Sequence, residues 1–120
     1  MESLIPFSIP FMSQQNRELE TIVRDYLDYS RQEAEARIFG LLFQYLGHLY
    51  EESEEPVLLE DFSAYEADDF LNFFLEDNFP EEYKNLKSES LSVLQNFIKY
   101  LSLKKLIPSE ELREWKEVLK

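Results

Sequence analysis

The spacing of apolar residues predicts helices along most of the chain. Between residues 14 and 29, apolar positions recur at intervals of three and four, which places them on one side of a helix that Ser13 could cap. These positions are Leu19, Ile22, Val23, Tyr26 and Leu27. A second helix is predicted from about 31 to 52, with Ser30 and Glu33 as a capping box. It is apolar around most of its circumference, which favours a central place in the fold.

A third helix is predicted after a long loop that contains the stretch EESEEPVLLE. Ser63 and Glu66 form a second capping box, and the helix runs to about Asp77. Phe73 falls on its outer side among acidic residues. The inward positions at helical spacing are Ala67, Phe70, Leu71 and Phe74.

The last third of the chain predicts two more helices. After a turn at 78–80 and a short helix at 81–86, Ser88 is placed to cap a fourth helix that ends near Leu103. Its inward positions are Leu91, Leu94, Phe97, Ile98 and Leu101. Pro108 and Ser109 then introduce a fifth helix through EELREWKEVL, whose inward positions are Leu112, Trp115 and Leu119.

The first twelve residues have a different pattern. In LIPFSIPFM, apolar side chains at the odd positions 5 to 11 alternate with Pro6, Ser8 and Pro10, which is the period of an extended chain with one apolar face. Proline cannot donate to a central strand, and a signal peptide needs a positive leader and an unbroken apolar run. We therefore expect an extended arm that covers a groove of its own chain or of a second copy.

These patterns predict an all-α fold. The expected architecture is a single orthogonal bundle of about five helices over residues 13–120, preceded by the proline-containing arm at 1–12. A chain of 120 residues fits one compact domain. Its two glycines provide few positions for tight hairpin turns, which argues against a β-sheet fold.

Both glycines lie on a polar stripe of the second predicted helix. Gly40 and Gly47 stand among Arg37, Gln44, His48 and Glu51 at intervals of three and four. Because each glycine inside a helix costs about 1 kcal/mol relative to alanine, their placement suggests that another backbone approaches closely. The stripe is then either a packing seam within the chain or a functional crevice.

The composition excludes several chemistries. With no cysteine, the chain cannot build disulfides, thiolate zinc sites or a thiol nucleophile. Calcium loops and phosphate-binding loops need glycines that this chain lacks. No segment has the length of a membrane span, so we expect no membrane partner, and the absence of cysteine favours a cytoplasmic protein.

Metal and acid–base sites are weakly supported. His48 has the spacing to share a metal with Glu51 and Glu52, but a di-iron bundle needs paired motifs and the chain has one histidine. Asp68 and Asp69 are adjacent and point apart on a helix. The sequence therefore predicts no catalytic residue, no cofactor and no metal, and we expect a protein that is not an enzyme.

Negative charge is concentrated in the middle of the chain. The net charge is −13, and residues 38–83 contain thirteen acidic residues and no lysine or arginine. Such a field attracts basic protein surfaces and repels phosphates, which argues against direct nucleic-acid binding through this face. The alternative is an ordinary solvated acidic surface that binds no partner and keeps the protein soluble.

An aromatic residue among these acids favours a protein interface. We expect a non-enzymatic interaction module whose acidic face at 51–82 binds a basic partner, with nucleic-acid mimicry or inhibition as a special case. The predicted partner-binding residues are Glu66, Asp69, Phe73, Glu76 and Asp77. Leu75 is expected to be a second apolar group on this face, and the arm offers a route to a homo-oligomer.

The stretches ADDFLNFFL and SESLSVLQNFIKYLSLKKLI, within about 60–107, resemble the helical SAM-like core-binding domain of tyrosine recombinases. The resemblance implies a similar helical packing and an accessory domain that clamps DNA. The chain ends before a catalytic domain, and its third helix is acidic where a clamp needs lysine and arginine. The alternative function is thus nucleic-acid binding through the basic C-terminal segment, with Lys99, Lys104, Lys105 and Lys116.

Overall fold

The computed structural model describes residues 17–51 and 54–120, and these form five helices. They are α1 (Leu19–Ser30), α2 (Glu33–Leu49), α3 (64–78), α4 (Tyr83–Leu103) and α5 (Ser109–Val118). Helix α3 is continuous and consists of Ala64–Asp69, a π-helical turn at Phe70–Phe74, and Leu75–Asn78. The all-α prediction is confirmed. The predicted arm at 1–12 lies outside the described residues. Glu18, in an extended conformation, precedes α1, so the predicted start near residue 14 with a Ser13 cap is wrong.

The connection between α1 and α2 differs from the prediction. Ser30 is the last residue of α1, and Gln32 rather than Ser30 precedes α2, so the predicted Ser30–Glu33 capping box is wrong. Arg31 takes the left-handed conformation with φ of 56°, and its N–H donates to the carbonyl of Leu27. This left-handed residue closes the first helix and lets the chain reverse within two residues.

The capping box at the start of α3 is confirmed. The backbone N–H and the hydroxyl of Ser63 both donate to Oε1 of Glu66, at 2.8 and 2.5 Å. Amides at the start of a helix have no intrahelical partner, so a carboxylate that accepts from Ser63 helps to set the first residue of α3.

The predicted break at Ser88 is wrong, because α4 is one helix of 21 residues that begins at Tyr83. No glycine or proline occurs between residues 81 and 107 to interrupt it. Leu86, which lies in the predicted short helix, is buried and holds the first turns of α4 against the core.

These two serines make a matched test of helix capping. Ser63→Ala is expected to lower the free energy of unfolding by about 1 kcal/mol, because the bond from the serine hydroxyl to Glu66 is lost and alanine is disfavoured directly before a helix. Ser88→Ala lies on an exposed part of α4 and should have no effect or a slight stabilising one. Thermal unfolding followed by circular dichroism measures both. Equal effects of the two substitutions would contradict the assigned cap.

Three aromatic clusters hold the helices together. Tyr26 of α1 contacts Phe39 of α2 and Phe97 and Tyr100 of α4, with ring centroids 5.3 to 5.8 Å apart. In the second cluster, Tyr45 of α2 packs on Phe70 and Phe74 of α3. In the third, Phe62 meets Trp115 of α5. Edge-on and tilted ring contacts of this kind add to the area that the rings bury.

Backbone hydrogen bonds tie the segment before α3 to the start of α1. The N–H of Leu19 donates to the carbonyl of Val57 at 2.9 Å, and the N–H of Leu59 donates to the carbonyl of Arg17 at 2.7 Å. Glu18 and Leu58 form an isolated antiparallel bridge. A helical turn at Leu59–Asp61 follows and leads into α3.

The prediction that another backbone approaches the two glycines closely is wrong. An added Cβ at Gly40 or Gly47 would meet no atom within 4 Å, and both glycines are exposed on α2. Within the described chain, therefore, no second backbone packs closely against either glycine, whereas Gly40 lines an open groove of 280 Å³ between α1 and α2.

Candidate partner-binding surface

The five residues predicted to bind a partner all lie on α3, and the structure divides them into two groups. Phe73 is 59% exposed, and Glu76 and Asp77 are also exposed. They follow Phe73 by three and four residues, so all three are neighbours on one side of the helix. We call these three residues the Phe73 patch. Glu66 and Asp69 are half-buried.

The half-buried acids have hydrogen-bond partners inside the protein. Glu66 belongs to the capping box of α3, and Oδ2 of Asp69 accepts a hydrogen bond of 2.7 Å from the Tyr45 hydroxyl. Their charges add to the field of the surface, but part of each carboxylate is already used. The exposed carboxylates of the Phe73 patch have more freedom to meet a partner.

The Tyr45–Asp69 hydrogen bond fixes α2 against α3 directly beneath the acidic surface. Burial raises the pKa of the Tyr45 hydroxyl above its ordinary value, and the bond to Asp69 raises it further. Tyr45 therefore stays a neutral donor at neutral pH. The Tyr45 ring also packs on Phe70 and Phe74. The helical spacing of Tyr45 with other apolar residues therefore indicated a buried ring, but it gave no indication of the partner of the hydroxyl.

Leu75 does not belong to the surface, and its predicted place there is wrong. It is completely buried, since it follows buried Leu71 by four residues and so continues the inward side of α3. The N–H of Leu75 donates to the carbonyl of Phe70, five residues earlier, which closes the π-helical turn. Phe73 lies within that turn, and such turns often occur at functional sites.

A second exposed aromatic side chain was missed by the sequence reasoning. Tyr65 is 74% exposed on the first turn of α3, and Asp69 and Phe73 follow it at intervals of four residues. The signal was present in the sequence, because the Ser63 cap and inward Ala67 leave Tyr65 on the outer side. The outer side of α3 thus carries two aromatic rings with carboxylates around them.

One lysine of the C-terminal third reaches α3 through an amide rather than through an ion pair. Nζ of Lys87 donates to Oδ1 of Asn72 at 2.7 Å, and Nδ2 of Asn72 donates to Oδ1 of Asp68 at 2.7 Å. Asn72 lies in the π-helical turn. This chain of hydrogen bonds lies on the side of α3 that faces α4.

The Phe73 patch is not covered by Arg17, Lys104 or Lys105. Arg17 pairs with Glu60 at 3.1 Å, and the pKa of Glu60 is lowered, first by a hydrogen bond from the backbone and then by Arg17. Lys104 lies 5.8 Å from the centre of the Tyr100 ring. Among the described residues, neither Lys104 nor Lys105 lies within 4 Å of a carboxylate oxygen.

The histidine-containing group on α2 is only partly described. His48 and Glu51 are exposed, and Glu52 lies outside the described residues. Within residues 17–51 and 54–120, no three side chains of the metal-binding types come together.

Comparisons with protein-family models, curated proteins and solved structures found no match to this chain. The resemblance to recombinase core-binding domains accordingly stays a prediction. No helix in the described part of the chain has the length and hydropathy needed to cross a membrane.

Proposed function

We propose that the protein is a non-enzymatic interaction module that binds a basic protein partner through the Phe73 patch. The observation that carries this proposal is the 59% exposure of a phenylalanine between carboxylates that have no cation from the C-terminal segment over them. Large exposed aromatics in a polar rim are the usual anchors of protein interfaces.

The charge distribution supports the same partner chemistry. The run of 46 residues without lysine or arginine includes all of α3. A basic surface would be steered toward it, and binding should weaken as salt screens the field. Phe73 would then contribute the apolar contact that holds the complex after the encounter.

Crosslinking at position 73 tests whether this surface meets a partner. A photoreactive phenylalanine analogue replaces Phe73 in one preparation and exposed Leu103, on α4, in a control preparation. The proposal expects the first to capture a basic protein from lysate of the source cells that the second does not capture. Capture of the same proteins at both positions would count against the Phe73 patch.

Charge reversal then tests the role of the carboxylates on the captured partner. Glu76→Lys with Asp77→Lys should weaken binding at least tenfold at low salt, with a smaller difference at high salt. The matched control is Glu110→Lys with Glu114→Lys, which makes the same change in net charge on exposed positions of α5. Calorimetric titration measures both, and an equal loss for the two variants would reject the proposal.

A nucleic-acid mimic is a special case of this function, since closely spaced carboxylates can imitate an array of phosphates. In that case the captured partner would itself bind DNA or RNA. Added nucleic acid should then release this protein from the partner. No release would leave a basic partner of another kind.

The alternative function is nucleic-acid binding by the C-terminal segment, and one observation favours it. Lys99 of α4 and Lys116 of α5 line a common groove of 360 Å³ with an apolar floor. This alternative expects a labelled DNA fragment to be retained at moderate salt and lost when both lysines become glutamine. The acidic module expects no retention at that salt.

A further inference from the structure

A second cleft lies away from the Phe73 patch, where the end of α1, the start of α2 and the last turns of α4 meet. It has a volume of 450 Å³, and tyrosines 26, 29 and 100 form much of its wall. Their ring centres lie 5.0 to 6.4 Å from one another. We call it the tyrosine cleft.

A buried carboxylate belongs to the lining of this cleft. Glu35 is only 6% exposed, and its Oε2 accepts a hydrogen bond of 2.9 Å from the Tyr26 hydroxyl. Its other oxygen, Oε1, has no hydrogen-bond partner in the described chain. Glu35 is the third residue of α2, where the helix dipole favours negative charge, but that field supplies no donor to Oε1.

No cation of the described residues neutralises Glu35. Lys99 lines the same cleft, yet it forms no ion pair with Glu35 within 4 Å. Buried carboxylates are normally paired or fully hydrogen-bonded, because water no longer stabilises their charge. Glu35 has one donor where a carboxylate can accept several.

The aromatic walls of the tyrosine cleft can attract positive charge, which complements the negative charge of Glu35. The face of a tyrosine ring attracts cations, and several rings around one space form a site for ammonium and guanidinium groups. Tyr100 already has the ammonium group of Lys104 at 5.8 Å from its ring centre. A cation that enters the cleft would meet tyrosine side chains and the carboxylate of Glu35 in one space.

From these contacts we infer that the tyrosine cleft binds an organic cation, an ammonium or guanidinium group, with Glu35 as its counter-ion. Entry requires a side chain to move, since Glu35 is covered. Tyr29 is 59% exposed and is the ring of the wall with the most freedom to change rotamer. The inference does not depend on the Phe73 patch, which lies on another helix.

Nuclear magnetic resonance titration of the full chain tests this site. The probes are agmatine and N-acetyl-arginine amide, with N-acetyl-citrulline amide as the neutral isostere. We expect saturable shifts for Tyr29, Glu35 and Tyr100 with the two cations and none with the citrulline compound. An absence of saturation with either cation, or equal shifts with citrulline, would overturn the inference.

Two substitutions assign the binding to the proposed groups. Glu35→Gln keeps the shape and removes the charge, and should weaken binding of the cations at least tenfold. Glu33→Gln, an exposed acid on the same turn of α2, should leave it unchanged. Unchanged binding in Glu35→Gln would overturn the role of the carboxylate.

Two further variants control for a folding defect in Glu35→Gln and for competition between Lys99 and the added cation. Tyr29→Ala changes a mostly exposed side chain, so weaker binding in this variant supports the aromatic wall even where Glu35→Gln perturbs the core. Lys99→Gln should bind the cations as tightly as the wild type or more tightly, and lost binding would contradict the inference. Tighter binding of an arginine-containing peptide than of agmatine would identify a protein side chain as the source of the cation, and the reverse order a small molecule.

Discussion

Replacing Trp115 with alanine is expected to lower the free energy of unfolding by about 3–5 kcal/mol. Trp115 is the single tryptophan of the chain and has no exposed surface. Its ring meets Phe62 edge-on, with centroids 5.1 Å apart, so the substitution leaves a large cavity between α5 and the segment that leads into α3. Loss of this contact should free α5 from the rest of the bundle.

The indole N–H makes a second substitution informative. Within residues 17–51 and 54–120, buried Nε1 of Trp115 has no hydrogen-bond partner, and leaving a donor unpaired is itself unfavourable. Trp115→Phe removes that donor while it keeps an aromatic ring, so it should cost much less than Trp115→Ala. Urea unfolding followed by circular dichroism measures both, with exposed Glu114→Ala on the same helix as the control. A cost for Trp115→Ala no larger than that of the control would contradict the packing of α5.

Alkaline pH is expected to destabilise the protein strongly. Burial raises the pKa of Tyr26 and of Tyr45 well above the ordinary value of 10.0, and the bonds to Glu35 and Asp69 raise both further. The unfolded chain releases these protons above pH 10, whereas the folded protein keeps them. Their contribution to stability is therefore complete below pH 10 and is lost as the pH rises toward the folded-state values.

The size of the effect follows from the number of protons involved. Each such tyrosine lowers the unfolding free energy by about 1.4 kcal/mol per pH unit above its unfolded pKa. Two tyrosines thus give a loss of up to about 5 kcal/mol between pH 10 and pH 12. Tyr50 and Tyr100 act in the same direction, because burial raises the pKa of each.

Urea titrations at a series of pH values, followed by Trp115 fluorescence, measure this loss. Tyr45→Phe should remove one tyrosine from the pH dependence, although it lowers stability at neutral pH by leaving Asp69 without its donor. Tyr65→Phe is the matched control, because it removes the same hydroxyl from a side chain that is 74% exposed. The same slope in wild type and Tyr45→Phe would show that Tyr45 is not the group responsible.

Local pattern was enough to predict most of α3 and α5. The cap of α3 depends on residues three positions apart, and its inward side depends on helical spacing, so both are encoded within one short segment. Helical spacing also predicted that Trp115 is in the core and Phe73 on the surface, and both predictions are confirmed. The prediction for Leu75 was wrong because it gave weight to the neighbouring acidic residues and not to the spacing of four residues between Leu71 and Leu75.

Other features depend on residues that are distant along the chain. The hydroxyl of Tyr45 meets Asp69, which is 24 residues away, and Asn72 joins Asp68 to Lys87 across two helices. Nothing in the spacing of α2 indicates such partners. For the same reason the burial of Glu35 was missed, because a glutamate in the first turn of a helix is ordinarily exposed.

By itself, the sequence determined that this protein is helical, which side of most helices faces inward, and that its negative charge is concentrated in the middle of the chain. These properties depend on neighbours within one or two helical turns. Only the tertiary structure decided that α4 begins at Tyr83, that no described cation of the C-terminal segment pairs with Glu76 or Asp77, and that Glu35 is buried in the lining of the tyrosine cleft. Those outcomes depend on which helices meet, and helix packing is set by the burial of whole faces rather than by any local spacing.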